Sequence, residues 1–426
     1  MFFDRPEKGL KTLLLIVRIG NSAYHEHDVE ELRELADSAG LSVEFTESVA
    51  RHAAHPATCI GRGKLQDLAD TIRSRNLDLL LLDHELTATQ QRNLEVELNV
   101  RVLTRTELIL HIFEARARTY EGKLQVELAM LSHAQSHLVR GWTHLDRQRG
   151  GVNLRGVGEK QLAIDKYLLQ QRISTTRSRL EKVQRRRTQQ RRKRMRSRIP
   201  TVALVGYTNT GKSTLFNALT RSMVYADDRL FATLDPTVRQ LDLAGRYQVL
   251  LADTVGFIKD LPMDLVAAFK ATLEEATNAD LLVHVMDASA ANLDEVQSSV
   301  EKVLAEIGAE SIPKIAVYNK TDLTNECTGI RQGAAYVSAK HSDGLDELQE
   351  HVLRKLQGLP RKYCIELEPT EGKIRSMLYQ MHAVEAESYS EDGRALLTVN
   401  LAREQVQELE SRHGFCLHAP QSQSTI

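Results

Sequence analysis

Short apolar runs and amphipathic stretches alternate over the first 120 residues of the chain. Thr12–Val17, TLLLIV, is a continuous apolar run of the kind a buried strand makes. HDVEELRELADSAG, His27–Gly40, keeps its apolar residues on one helical face and ends at a glycine. LSVEFTE, LDLLLLD and VRVL follow as strands, and KLQDLADTIRS and TELILHIFEARA as helices. This alternation predicts a parallel sheet covered by helices. Gly61-Arg62-Gly63-Lys64 reads as a tight turn and helix entry rather than a phosphate contact.

From Gly122 the pattern changes. Leu124, Leu128, Leu131, Leu138, Trp142 and Leu145 recur at helical spacing, with Gln135 in one slot. Leu162, Leu169, Ile173, Leu180 and Val183 form a second stripe. Two such stripes predict an antiparallel helical pair. The segment between them, RQRGGVNLRGVGEK, holds Gly150, Gly151, Gly156 and Gly158, which interrupt any helix. It predicts a loop at the hairpin tip carrying Arg147, Arg149 and Arg155. The second helix ends in QRRRTQQRRKRMRSR, Gln184–Arg198, preceded by Arg172, Arg177, Arg179 and Lys182, with Glu181 the nearby acid. Like charges one helical turn apart repel, and a polyanion such as RNA would relieve them. Pro200 then breaks the helix.

Composition changes this picture little. The 426 residues are too many for one ordinary domain. A formal net charge of -1 excludes a generally basic protein but hides the basic helix. Cys59, Cys327, Cys364 and Cys416 form no CxxC pair, which points to reduced thiols rather than a zinc site or a disulfide framework. The pairs His25 and His27, and His52 and His55, lack further ligands and read as surface histidines. No apolar run is long enough to span a bilayer, and the N-terminus lacks the charge of a signal peptide. A cytoplasmic protein with no membrane span, acting as a monomer, is expected.

The chemistry is concentrated after Pro200. TVALVGYTNTGKST reads as strand, loop and helix. Gly206, Tyr207, Thr208, Asn209, Thr210, Gly211, Lys212 and Ser213 form a phosphate loop. The two glycines let backbone N–H groups converge on phosphate oxygens, Lys212 adds a point charge, and the Ser213 hydroxyl ligates Mg²⁺. LFATLDPTV, Leu230–Val238, offers a threonine to the same ion. VLLADTVGF is a buried strand leading into Asp253, Thr254, Val255 and Gly256. Asp253 would hold the Mg²⁺ shell, and the Gly256 N–H would meet the γ-phosphate. IAVYNKTD ends a further strand in Asn319, Lys320, Thr321 and Asp322, whose carboxylate can accept the two N–H groups of guanine N1 and N2. AYVSAK brings Ser338, Ala339 and Lys340, with the Ala339 N–H placed for guanine O6. Five such pieces in order, at the C-terminal ends of strands, predict a guanine-nucleotide site for GTP and GDP.

Phe257 follows Gly256, where Ras-type enzymes carry a glutamine that orients the attacking water. Hydrolysis should therefore be slow alone, or another group must position the water. Asn209 resembles the loop asparagine of GTPases activated by K⁺, and equally suits a loop-stabilising role.

GYTNTGKST, LFATLDPT, DTVGF, NKTD and SAK, preceded by RGVGEKQL, resemble the HflX family of translation-factor-like GTPases. The resemblance covers nearly the whole chain. It implies an α/β fold with a GTPase domain, binding to the ribosome, chiefly the large subunit and its RNA, and separation of stalled ribosomes into subunits under stress. It also implies that the nucleotide segment is Phe231, Ala232, Thr233, Leu234 and Asp235, with Thr233 rather than Thr237 on Mg²⁺ beside Ser213. The candidate catalytic residues are then Lys212, Thr233, Gly256 and, on the potassium reading, Asn209. The expected organisation is an N-terminal α/β domain over 1–120, a helical hairpin over 121–198, a GTPase domain over 199–359, and a small α+β domain over 360–426. In that last domain YCIELEP and ALLTVNL are strands around a helical KIRSMLYQMHAVEA, and the tail APQSQSTI is disordered. Three rivals remain: a GTPase of ribosome assembly or tRNA modification, a GTP-binding adaptor with negligible hydrolysis, and an ATP-driven activity of the N-terminal domain. The absence of a GxxG loop after the GTPase region, the tail QSQSTI, the intact Mg²⁺ set and the missing second phosphate loop argue against them.

Overall fold

The computed structural model describes residues 9–20, 26–142, 157–196, 199–221, 230–231, 237–245, 247–258, 273–324, 326–358, 361–368, 371–381, 383–390, 393–401, 406 and 409. The segment Ala232–Pro236, which includes Thr233, lies outside them, as do His25, Cys416, the hairpin tip over 143–156 and the C-terminal tail.

The first sheet joins β1 (Lys11–Ile19), β2 (Ser42–Arg51), β3 (Leu79–Leu82) and β4 (Arg101–Thr104) in the order β2-β1-β3-β4. Each pair is parallel. Crossovers are made by α1 (Glu26–Ala39), α2 (Arg62–Arg75) and α3 (Ala88–Leu98), and α4 (Arg105–Arg116) follows β4. Every residue of β3 is buried, as a strand covered on both faces requires. The helices α3 and α4 start on capping boxes, Thr87 with Gln90 and Thr104 with Glu107, which satisfy the first backbone donors. Gly61 precedes α2 in extended conformation, and Lys64 is ion-paired with Glu47 of β2, so that glycine pair is the expected turn and helix entry.

The helices α5 (Tyr120–Trp142) and α6 (Val157–Arg196) form the hairpin. Leu124, Leu128 and Leu131 pack with Leu169, Ile173 and Leu180 in one apolar seam, with Val183 against it. Leu138, Trp142 and Leu162 lie on these helices, but their side chains, and all of Leu145, fall outside the described residues. Arg172 bridges to Glu127 at 2.8 Å along the same seam.

The third unit is a seven-stranded sheet with strands β5 (Thr201–Val205), β6 (Thr237–Leu243), β7 (Tyr247–Asp253), β8 (Leu281–Asp287), β9 (Lys314–Asn319), β10 (Gly329–Arg331) and β11 (Ala334–Tyr336). Their order is β10-β11-β9-β8-β5-β7-β6, parallel throughout except for the antiparallel edges β10 and β6. The helices α7 (Lys212–Thr220), α8 (Leu293–Glu306) and α9 (Leu345–Gly358) belong to this unit. The chain leaves β5 toward β7 on one side and β8 on the other, which makes the end of β5 the switch point where doubly wound sheets take ligands.

A three-stranded antiparallel sheet, β12 (Arg361–Leu367), β14 (Ala395–Leu401) and β13 (Val384–Tyr389), in the order β12-β14-β13, packs with α10 (Gly372–Gln380). One expectation needs correction here. KIRSMLYQMHAVEA is not one helix: α10 stops at Gln380, and Val384 begins a strand paired with β14. Pairing with the edge that β14 offers outweighs the helix-forming residues before it.

The first and third units share one apolar cluster. Leu108, Ile112 and Phe113 of α4 join Tyr207, Phe231, Val255 and Phe257 in it. The Phe113 and Phe231 rings meet edge to face, with centroids 4.5 Å apart, and the Leu230 N–H donates to Ser38 Oγ of α1 at 3.0 Å.

Candidate functional site

The loop that follows β5 is shaped by two glycines for which no other residue serves. Gly206 has φ of +149°, and a Cβ there would fall 2.2 Å from the Val285 carbonyl oxygen of β8. Gly211 has φ of +85°, and its Cβ would fall 2.3 Å from Asn319 Nδ2. Both the left-handed backbone and the close approach exclude a side chain. Gly211 also precedes Lys212, the first residue of α7, so the N-terminal end of that helix faces the loop interior.

Lys212 is 6% exposed, and its ammonium donates to the Tyr207 carbonyl at 2.5 Å. Thr210 Oγ1 donates to the same carbonyl at 3.0 Å. Burial pulls the Lys212 pKa down from 10.5 to about 8, although the Asp253 carboxylate opposes it. Ser213 Oγ donates to Asp253 Oδ2 at 2.7 Å. This pair of hard oxygen donors, one on α7 and one at the end of β7, suits an octahedral Mg²⁺ shell.

The loop after β7 is laid directly on the phosphate loop. The Thr208 N–H donates to the Phe257 carbonyl at 2.7 Å, and the Phe257 N–H to the Gly206 carbonyl at 3.1 Å. A Cβ at Gly256 would lie 2.9 Å from Thr208 Cα and 3.1 Å from Lys212 Nζ. Gly256 therefore sits where a γ-phosphate held by Lys212 would reach it. Thr254 and Val255 are buried, and Thr254 Oγ1 donates to the Leu204 carbonyl, so both side chains brace the loop from inside. Phe257 is 3% exposed and belongs to the cluster shared with Phe113, so its ring is turned away from any attacking water. Asn209 takes φ of +58°, which asparagine tolerates better than most residues; that backbone need by itself accounts for an asparagine there.

At the opposite end, Asp322 Oδ1 accepts from Ser338 Oγ at 2.6 Å, and that hydrogen bond foremost holds its carboxyl below the ordinary range. Lys320 pairs with Asp287 at 2.7 Å, and Thr321 is buried. Lys340 is exposed. Asn319 is fixed on two sides. It is 2% exposed; its Nδ2 donates to the Thr210 carbonyl at 2.9 Å and its Oδ1 accepts from the Ala339 N–H at 2.9 Å. It clamps the phosphate loop to the β11 loop and keeps a second Nδ2 N–H for a further acceptor. The Ala339 N–H, expected on guanine O6, can reach a base only by sharing or leaving Asn319.

The fold thus brings the phosphate loop, Asp253, Gly256, Asn319 and Asp322 to one edge of one sheet; Ala232, Thr233, Leu234 and Asp235 are outside the described residues, while Phe231 is buried against Phe113. Sequence reasoning missed Glu31, Ser38 and Phe113, which touch this edge from the first unit and lie in stretches with no motif. Among the described residues no group of three His, Cys, Asp or Glu could hold a metal, and no helix is long and apolar enough to cross a membrane.

Known proteins match this chain from near its start to its end. Four family domains align in order: the GTP-binding GTPase N-terminal domain over 26–114, its middle region over 116–194, a 50S ribosome-binding GTPase domain over 201–320, and the HflX C-terminal domain over 323–423. GTPase HflX of Escherichia coli is 45% identical over 406 residues, covering 94% of this chain and 95% of that protein. GTPase HflX of Magnetococcus marinus is 47% identical over 352 residues, 81% of each. Among solved structures, a GTP-binding protein of Sulfolobus solfataricus in complex with GDP covers 82% of this chain and 99% of its own, at 24% identity and a TM-score of 0.44. On the four family domains in order and the 45% identity to a relative over nearly the whole of both chains, the chain belongs to the HflX family of GTP-binding GTPases.

Proposed function

We propose that the protein binds the large ribosomal subunit and its RNA, separates stalled ribosomes into subunits under stress in the cytoplasm, and hydrolyses GTP faster when so bound. The observation that carries this reading is the path of α6. Arg177, Arg179, Lys182, Arg185 and Arg186 are exposed on it, away from the apolar seam with α5, while Arg172 is paired with Glu127 at the edge of that seam. The same helix ends at Arg196, and β5, which carries the phosphate loop, begins at Thr201. A polyanion-binding face is therefore joined to the nucleotide site by a few residues of chain. The 50S ribosome-binding description of the matched GTPase domain supports the same partner.

The chain's own residues have assignable tasks. Lys212 and the loop N–H groups bind the β- and γ-phosphates, and the Gly256 N–H meets the γ-phosphate. Asp322 selects guanine. Ser213 and Thr233 would hold Mg²⁺, with Asp253 behind Ser213; the ion supplies charge neutralisation on the phosphates. Phe257 is buried, so it cannot orient water, and a group brought by the partner, or K⁺ held beside Asn209, would complete the site. GTP binding rather than hydrolysis would drive separation, because the segment around Thr233 has a γ-phosphate to close on only before hydrolysis.

Co-sedimentation with ribosomes and separated subunits, in GDP and in a non-hydrolysable GTP analogue, tests this reading. Binding to the large subunit should be tighter with the analogue, and stoichiometric protein with the analogue should split ribosomes. Equal binding in the two nucleotides, or no splitting, would overturn it.

A further inference from the structure

The second residue of the phosphate loop looks out of its own domain. Tyr207 is 8% exposed, and its hydroxyl donates to Glu31 Oε2 of α1, 176 positions away in sequence. Glu31 is 5% exposed and takes Arg105 Nη2 on its other oxygen, while Arg105 Nη1 reaches Asp83 Oδ1 at 3.4 Å. Arg105 follows β4 directly and Asp83 follows β3 directly, so the group occupies the C-terminal edge of the N-terminal parallel sheet. That is the edge where sheets of this class take ligands. Here it takes the tyrosine of a neighbouring domain.

From the geometry we infer that Glu31 is a positioning residue for the phosphate loop, contributed by the N-terminal domain through the Tyr207 hydroxyl. The other end of Tyr207 shows why this matters to the nucleotide. Its carbonyl accepts from both Lys212 Nζ and Thr210 Oγ1, and Tyr207 pairs with Phe257 in an isolated bridge. One residue therefore has its ring fixed by α1 and its peptide fixed by the lysine that must meet the phosphates. A phenylalanine would fill the same apolar volume among Phe113 and Phe231. The hydroxyl is needed only if the ring must be held against a particular acceptor, and a buried carboxylate already fixed by an arginine is such an acceptor. Leu230 on Ser38 and Phe231 on Phe113 place the start of the Thr233 segment on the same two helices. The N-terminal domain thus touches the phosphate loop and the residues that lead into the Thr233 segment.

This inference rests on the nucleotide reading of the loop and not on any ribosomal partner. It is tested on the full chain with GDP and a non-hydrolysable GTP analogue, by equilibrium titration of wild type, Tyr207→Phe, Glu31→Gln and the double variant. Tyr207→Phe leaves the Glu31–Arg105 pair in place, so the fold is kept even if Glu31→Gln proves unstable. Each single change should raise the nucleotide Kd roughly three- to tenfold, the size of one ordinary net hydrogen bond, because the link acts on the nucleotide through the loop and not by direct contact. The double variant should be within about twofold of the worse single one, because both remove one link. Intrinsic hydrolysis should show a raised KM with a smaller change in kcat. Wild-type nucleotide affinity in Tyr207→Phe, or fully additive losses in the double variant, would overturn the inference. A wild-type protein that fails to bind GDP would overturn the site reading instead.

Discussion

Raising the pH from 7 to 8.5 should weaken nucleotide binding, because the lysine that meets the phosphates loses its proton in that range. Lys212 is buried, and burial lowers its pKa from 10.5 to about 8. A drop of that size corresponds to about 3 kcal/mol of unfavourable burial of the charged form. Phosphate oxygens would restore the charge on binding. At pH 8 about half of the free protein is deprotonated at Lys212, so each bound nucleotide should take up about half a proton, against about a tenth at pH 7. If only the charged form binds, the Kd should rise about fourfold from pH 7 to pH 8.5. Calorimetry of GDP binding in two buffers of different ionisation enthalpy measures the proton count directly. Stability of the free protein should move the other way. The folded-state pKa lies below the unfolded one, so the unfolded chain binds more protons between pH 8 and 10.5, and stability rises with pH across that window. Lys212→Met should abolish both trends, at a large cost in affinity. No proton uptake at pH 8 would refute the reasoning, because a lysine that is fully charged before binding has nothing to gain.

Three further outcomes are expected. Asp322→Asn should lower GTP affinity by about a hundredfold or more, by removing charge-assisted acceptance of two N–H groups, and should move preference toward xanthosine triphosphate; unchanged preference in a competition assay would remove Asp322 from base selection. On the potassium reading, hydrolysis should run faster in K⁺ than in Na⁺ at equal ionic strength, and Asn209→Ala should erase the difference; equal wild-type rates leave Asn209 as a left-handed loop residue only. Gly256→Ala should weaken the GTP analogue more than GDP in parallel titrations, because the new methyl meets the Thr208 backbone at 2.9 Å and Lys212 Nζ at 3.1 Å, where the γ-phosphate is expected.

Much of this architecture is legible in the amino-acid order because its signals are local. The apolar runs of β1, β3, β5 and β9 and the leucine stripes of α5 and α6 each declare themselves within ten or twenty residues. The helix α3 does not, since only Gln90, Leu94 and Leu98 turn inward, one of them polar, while the apolar Val96 faces out. The strand β8, LLVHVMD, carries no motif, so a reading led by motifs passes over it although it sits at the centre of the sheet. The strand β13 follows good helix formers, and only its partner β14 decides its state. For the site, residue types and spacing nominate the phosphate loop and Asp322, and the fold brings them to one sheet edge. They cannot show that Asn319 is a clamp between two loops, because that depends on where β9 and β11 end in space. Nor can they show the Glu31–Tyr207 contact, which joins residues 176 positions apart with no pattern in common.

The helix α6 has one more consequence, and it is a matter of leverage. Its 40 residues span about 60 Å if straight, at about 1.5 Å of rise per residue. Its last residue, Arg196, stands five positions before the strand that ends in the phosphate loop, and its first, Val157, lies at the far end. A tilt of about 5° at the sheet would carry Val157 sideways by about 5 Å, close to the pitch of one helical turn. Angular changes too small to disturb the core around β5 thus become displacements of the size that unseats one packed surface from another. A long rod that carries α5 with it along their shared seam needs no large rearrangement at its root to do work at its far end.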